Sequence, residues 1–202
     1  MPISYPIDHP STPGFSWSRF TPRAVVGVST SPFTLAQQVY QHQGQGFQFE
    51  AKLPPMRRAD AEPWLAFFLK LNGMRGTFRF GDPDAKTPRG VATGTPLVKG
   101  NGQSGNSLIT DGWTPTITGI LKAGDYLQLE DRIYKVLDDA NSNGTGEATL
   151  TIWPNLRSVP SDDSPLIKTN AKGLFRLSSN EMPWEADEIS VYGITFAGIE
   201  AL

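Results

Sequence analysis

Hydrophobic and polar positions along this chain follow two periods, and the change from one to the other falls inside a single stretch, Asp60 to Phe80. Trp64, Leu65, Phe67, Phe68 and Leu71 recur at three- and four-residue spacing, which gathers them on one stripe of a helix over 60–72, about three turns long. Asp60 is placed to cap that helix with its carboxylate, and Glu62 and Pro63 suit the first turn by charge and by fixed φ. Asn72-Gly73 is expected to close it, because glycine enters the left-handed region at little cost. After Gly76 the period drops to two. Phe78 and Phe80 face one way and Thr77 and Arg79 the other, as in a half-buried strand. A stripe of large aromatic and leucyl side chains cannot bury itself, so the helix is expected to lie across a sheet made by the rest of the chain.

The flanking segments read as that sheet. Four prolines and no period mark the first fifteen residues as an extended arm or loop. Ser16 to Phe20, Ala24 to Ser29 and Thr34 to Tyr40 read as short strands, followed by a polar break, QHQGQG, at 41–46. Phe47 to Leu53 alternates cleanly, with Phe47, Phe49, Ala51 and Leu53 on one face, and Pro54-Pro55 stops it. Gly81 to Gly90 is turn-rich, and the chain reads as loop up to Gly112. Asp125 to Val136 predicts a hairpin turning at Glu130-Asp131, with further strands at Ala148 to Trp153 and Pro165 to Thr169. Lys172 to Leu177 and Ile189 to Leu202 close the chain, the latter as a buried strand of the main sheet.

These elements predict a mainly β (α+β) fold. Residues 1–86 and 171–202 are expected to form a discontinuous β-sandwich-like domain with one helix packed on it. Residues 87–170 are expected to form an inserted small β-barrel or sandwich. The core is assigned to Trp64, Phe67, Phe68, Leu71, Phe78 and Phe80.

Composition sharpens this in a few places. The chain has 202 residues, enough for a sizeable core, and its lack of cysteine excludes disulfides and thiolate metal sites. A net charge of −2 gives no global attraction for nucleic acid or anionic membrane. No apolar run reaches the ~20 residues of a membrane span, and the N-terminus lacks the order of a signal peptide. A soluble protein made in the cytoplasm is expected.

Candidate chemistry is sparse. Asp139 to Gly144 matches the first half of a calcium loop, but Leu150 stands where the bidentate glutamate belongs, so a polar turn is the expected reading. Asp82-Pro-Asp84 offers two carboxylates with no histidine or third acid in the segment, and a turn accounts for it. His9 and His42 are both expected in loops, without the partners of a zinc site or a nucleophile. Arg57-Arg58 precedes the helix as surface or interface. Gly100 to Gly105 lacks the flanking strand and helix of a phosphate loop. The five tryptophans read as structural. No catalytic, metal or cofactor-binding residue is expected, and no cofactor.

Several blocks carry a resemblance: FQFEAKLPPMRRADAEPWLAFFLKLNGMRGTFRFGDPDAKTPRG at Phe47 to Gly90, LKAGDYLQLEDRIYKVL at Leu121 to Leu137, TLTIWPNLR at Thr149 to Arg157, and GLFRLSSNEMPW at Gly173 to Trp184. With the closing YGITFAGIEAL at Tyr192 to Leu202, their order resembles the minor tail or distal tail proteins of long non-contractile-tailed bacteriophages and prophages. The resemblance implies a virion structural protein of the tail tip that forms a homo-oligomeric ring, commonly a hexamer. Such a ring joins the tail tube to the tip or baseplate, and its implied partners are the tail tube protein and the tail hub or tip proteins. The alternative is a carbohydrate-binding accessory module of a tail tip, meeting a host surface glycan through the inserted domain. Neither reading requires an enzyme, recognition of a nucleic acid sequence, or membrane insertion.

Overall fold

The structure is a computed structural model that describes residues 3–188 and 190–202. In chain order its elements are β1 (Ile7–Asp8), β2 (Trp17–Thr30), β3 (Gln37–Lys52), β4 (Met56–Arg57), α1 (Arg58–Leu71), β5 (Phe78–Phe80), β6 (Gly94–Val98), β7 (Gly105–Trp113), β8 (Tyr126–Leu129), β9 (Arg132–Val136), β10 (Ala148–Leu156), β11 (Leu166–Ile167), β12 (Gly173–Leu177), β13 (Glu185–Ala186), β14 (Val191–Gly193) and β15 (Thr195–Glu200). The fold is mainly β, with one α-helix among the described residues.

Six strands form the main sheet in the order β1-β5-β12-β15-β3-β2. Its β1–β5 pair is parallel and the other pairs antiparallel. Alternation decides its faces. In β3, Phe47, Phe49 and Ala51 are buried while the residues between them reach the surface. Phe78 and Phe80 of β5, Phe175 and Leu177 of β12 and Phe196 of β15 join them on that face. The helix covers it with Trp64, Phe67, Phe68 and Leu71, all buried. Aromatic rings fill the space. Phe49 stacks closely on Phe80 at 3.8 Å, while Phe68 meets Phe196 at 5.0 Å and Phe67 meets Phe78 at 5.5 Å, within the range of favourable ring pairs. Gly198 makes this possible, since a Cβ there would stand 2.3 Å from the Phe49 ring.

Two expectations about the start of the helix are corrected here. The helix begins at Arg58 with Arg57 at the N-cap, and no side chain caps it. Asp60 lies exposed in the first turn and contributes charge alone. The cause is the approach of the chain: Arg57 pairs with Val191 in the small sheet β13-β14-β4, so a strand sets the entry geometry. The helix closes at Asn72-Gly73 as expected, with Asn72 as well as Gly73 at positive φ (53° and 64°).

The N-terminal segment is no loose arm. Ile7 and Asp8 pair with β5, and Tyr5, Ile7 and Phe15 pack on the main core. His9 lies at 5.6 Å and 14° to the Trp64 indole. The expected closing strand 189–202 is two strands, β14 and β15, in different sheets, and its first residue, Ile189, lies outside the described residues.

The second six-stranded sheet runs β11-β8-β9-β10-β7-β6 and curls into a nearly closed barrel. Its edges meet where Leu97 bridges Pro165, and the Val98 amide donates to the Ser164 carbonyl at 2.9 Å. Leu108, Leu127, Tyr134, Val136, Leu150 and Ile152 are buried inside. β6 and β7 occupy a stretch expected to be loop. The barrel leans on the main sheet through β8 and β9, whose Tyr126 and Ile133 belong to the main core. The Leu174 amide donates to the Asp131 carbonyl at 3.0 Å across this junction, and Arg79 pairs with Asp131 at 3.3 Å.

Candidate assembly surface

The short strands expected between Ser16 and Tyr40, together with the polar break after them, are one long hairpin. β2 and β3 pair from Trp17↔Lys52 to Thr30↔Gln37, and the half nearest the turn leaves the body of the protein. Strand spacing gives the projecting part, Arg23 to Ser31 and back to Gly46, a reach of about 25 Å. Its side chains are nearly all in solvent, including Val26, Val28, Val39 and Tyr40. At the tip Phe33 is 93% and Leu35 76% exposed. The tip is nonetheless ordered by its own bonds: the Ser31 amide donates to the Ala36 carbonyl at 2.9 Å, and the Ser31 hydroxyl accepts from the Phe33 and Thr34 amides at 3.4 Å.

Between Arg23 and Glu50 the chain carries no Asp, Glu, Lys or Arg. That matters because both edges of the arm are free. β2 is the last strand of the sheet, and β15 covers the outer side of β3 only as far as Gln48. Exposed strand edges are usually defended by charge, proline or a covering segment, and an isolated two-stranded ribbon is marginal in water. This arm has its edges undefended. A bulge lies at its root, between Ala24 and Val26, where a Cβ on Gly44 would come within 2.8 Å of the Val25 side chain.

The root is anchored to the barrel by a buried ion pair. The Arg157 guanidinium lies 3.2 Å from the Glu200 carboxylate and also donates to the Gln45 carbonyl. The Phe47 amide donates to the same carboxylate at 3.1 Å, and the Asn155 amide donates to the Gln45 side chain at 2.8 Å. Compensation is incomplete, since Glu200 Oε1 and Arg157 Nε have no partner. Burial pushes the Glu200 carboxyl above the usual carboxylate range, against the pull of Arg157.

The residues singled out in the sequence fall elsewhere. Trp64, Phe67, Phe68, Leu71, Phe78 and Phe80 come together as the main core and present no surface. In the calcium-like loop the oxygens face the chain's own donors: Asp139 accepts from Lys122 and the Ala123 amide, Asn141 from the Gly119 amide, and Asn143 from the Thr145 and Glu147 amides. His9 lies in a loop, as expected, just after β1, but its ring is half-buried against Trp64, and desolvation lowers its pKa. His42, by contrast, is exposed on β3 and not in a loop. Arg58 is held by Glu62 at 2.8 Å, one turn along the helix. Trp113 is buried and donates to Thr110 Oγ1 at 2.8 Å, whereas Trp17 and Trp184 are about half exposed.

Sequence reasoning missed the arm as a unit. The signal present was the run of uncharged residues from Ala24 to Phe49, too apolar and too regular in its glutamines for an ordinary surface loop. The chain matches no protein-family model and no curated protein at a significant level.

Proposed function

We propose that this protein is a ring-forming structural component of the tip of a long non-contractile phage tail. In this reading the ring joins the tail tube to the tip or baseplate and carries other tip proteins. The observation that supports it is the uncharged arm with two free edges. If copies stand side by side with their arms pointing the same way, β2 of one lies antiparallel to β3 of the next. Each contact then uses different surfaces on its two sides, and repetition by rotation closes a ring. Closure satisfies every arm edge, as in an up-and-down barrel, and puts Val28, Val39 and Tyr40 against neighbours. The order of sequence blocks from Phe47 onward supplies the tail-protein context, with a hexamer the stoichiometry it implies.

The test is the mass of the native chain and of a variant in which residues 25–44 are replaced by Asn-Gly, joining the cross-strand partners Ala24 and Gln45 and keeping the Gln45 anchor to the barrel. The native chain is expected to sediment as a closed oligomer and the shortened chain as a folded monomer with unchanged thermal midpoint. A native chain that stays monomeric at every concentration, or a shortened chain that still assembles, overturns the reading.

A further inference from the structure

A cleft of about 500 Å³ opens where the main sheet meets the barrel. That is within the range of small-ligand sites. Four aromatic side chains shape it, Phe20 and Phe47 from β2 and β3 at the root of the hairpin and Tyr126 and Trp153 from β8 and β10 of the barrel. They hold one another in place. Trp153 meets Phe47 edge to face at 4.8 Å and 85°, and Tyr126 lies 6.2 Å from both Phe20 and Phe47. Trp153 and Phe20 stay partly exposed, so ring surface faces the opening.

The polar groups of the cleft form a short row. Lys135 Nζ lies 3.1 Å from the Tyr126 hydroxyl and 4.3 Å from the centre of its ring. The Asp82 carboxylate faces the same hydroxyl and, with burial, raises its pKa. Asp82 is held by its own turn, where the Asp84 amide donates to it at 3.1 Å. The Asp82-Pro-Asp84 segment therefore aims a carboxylate into the cleft.

We infer that this cleft binds a neutral oligosaccharide, with a sugar ring resting against Trp153 and Phe20 and its hydroxyls bonded to Asp82 and Lys135. The inference stands apart from the ring reading and uses none of the arm. Its warrant is the match of chemistry. The cleft offers one anion and one cation, so it has no net charge to attract an ionic ligand. A carboxylate and an ammonium on either side of a phenol supply acceptor and donor at neighbouring points, which is what vicinal hydroxyls require. The C–H face of a pyranose is weakly positive and suits the negative face of an aromatic ring. A phenyl group, such as Phe33 from another copy's arm, would cover Asp82 and Lys135 without bonding either and would lose affinity for it. The site differs from the expected glycan contact in the inserted domain alone, because the main sheet builds half of it.

Heteronuclear NMR of the full chain tests this, reading the Trp153 indole N–H resonance, identified as the peak absent from Trp153→Phe. Maltotriose, chitotriose, lactose and a rhamnose trisaccharide serve as neutral probes, and sialyllactose as the anionic one. At least one neutral probe is expected to shift the Trp153 peak saturably. Asp82→Asn, with its other indole peaks unmoved as proof of folding, is expected to weaken that binding at least tenfold. No response to any neutral probe at millimolar concentration overturns the inference. So does stronger binding of sialyllactose, or an Asp82→Asn chain that binds as the native one does. None of these outcomes bears on oligomer mass, so this site and the ring reading fail separately.

Discussion

The two halves of the β2–β3 hairpin share one ladder and differ in almost everything else. Near the body, Phe20 pairs with Phe49 and Thr21 with Gln48, and every second residue of β3 is buried under the helix and its neighbouring rings. Beyond Gly46 the ladder continues through Val26↔Gln41, Val28↔Val39 and Thr30↔Gln37 with nothing packed on either face. Backbone pairing alone contributes little net stability in water, because it exchanges one set of hydrogen bonds for another. The near half is therefore held by its aromatic face. The far half is uncharged and has no core of its own, and a neighbouring chain is the occupant proposed for it.

Breaking the near half should cost most. Phe49→Ala removes a fully buried ring stacked at 3.8 Å on Phe80, and about 3–5 kcal/mol of stability should be lost, read from the urea unfolding midpoint. A loss below about 1 kcal/mol would show that the aromatic face is not what holds the near half.

The junction between the halves should answer to pH. Because the Glu200 carboxyl is raised above its unfolded value, the folded chain holds that proton more tightly. Glu200 thus contributes stability that is present below the unfolded pKa and lost as pH rises through the folded one. Native and Glu200→Gln chains should therefore differ in a pH-dependent way. The native chain should gain stability relative to the variant as pH falls from neutral into the acid range. Thermal midpoints taken across that range check the sign, and a gap that moves the other way would mean that pairing with Arg157 outweighs burial.

The far half should show the smallest change in stability. Val28→Lys places a charge where the side chain is 58% exposed, so unfolding of the single chain should shift by no more than about 0.5 kcal/mol. Mass in solution should respond instead, because a lysine on a free edge opposes strand addition. An assembled Val28→Lys variant would remove the arm from the interface.

The same contrast explains what the sequence discloses. FQFEAKL alternates because one of its faces meets a core, and the helix stripe at Trp64 to Leu71 is legible for the same reason. QHQGQG reads as a break, yet it is strand, because a ribbon wet on both faces carries no period. β7 is hidden differently. Thr110 is fully buried in it, satisfied by the Ala148 carbonyl at 2.9 Å and by the Trp113 indole, so a polar residue stands where the pattern calls for an apolar one. His9 sits in a loop as its polar setting suggests, yet its ring stacks against the core at Trp64, which spacing does not show. The cleft was beyond reach of spacing altogether, since Phe20, Asp82, Tyr126 and Trp153 meet only through the docking of barrel on sheet.

β15 has a bearing on how the protein is born. It lies between β12 and β3, so the main sheet exists as two unjoined pieces until residues 195–200 leave the ribosome. The barrel, Gly94 to Ile167, is synthesised entirely before that moment and has its own buried cluster with which to begin. The hairpin arm emerges earlier than either, with free edges and no charge to keep it from other nascent chains. Translation thus exposes the stretch most prone to pair with a neighbour well before the strand that fixes its base, with the whole barrel made in between.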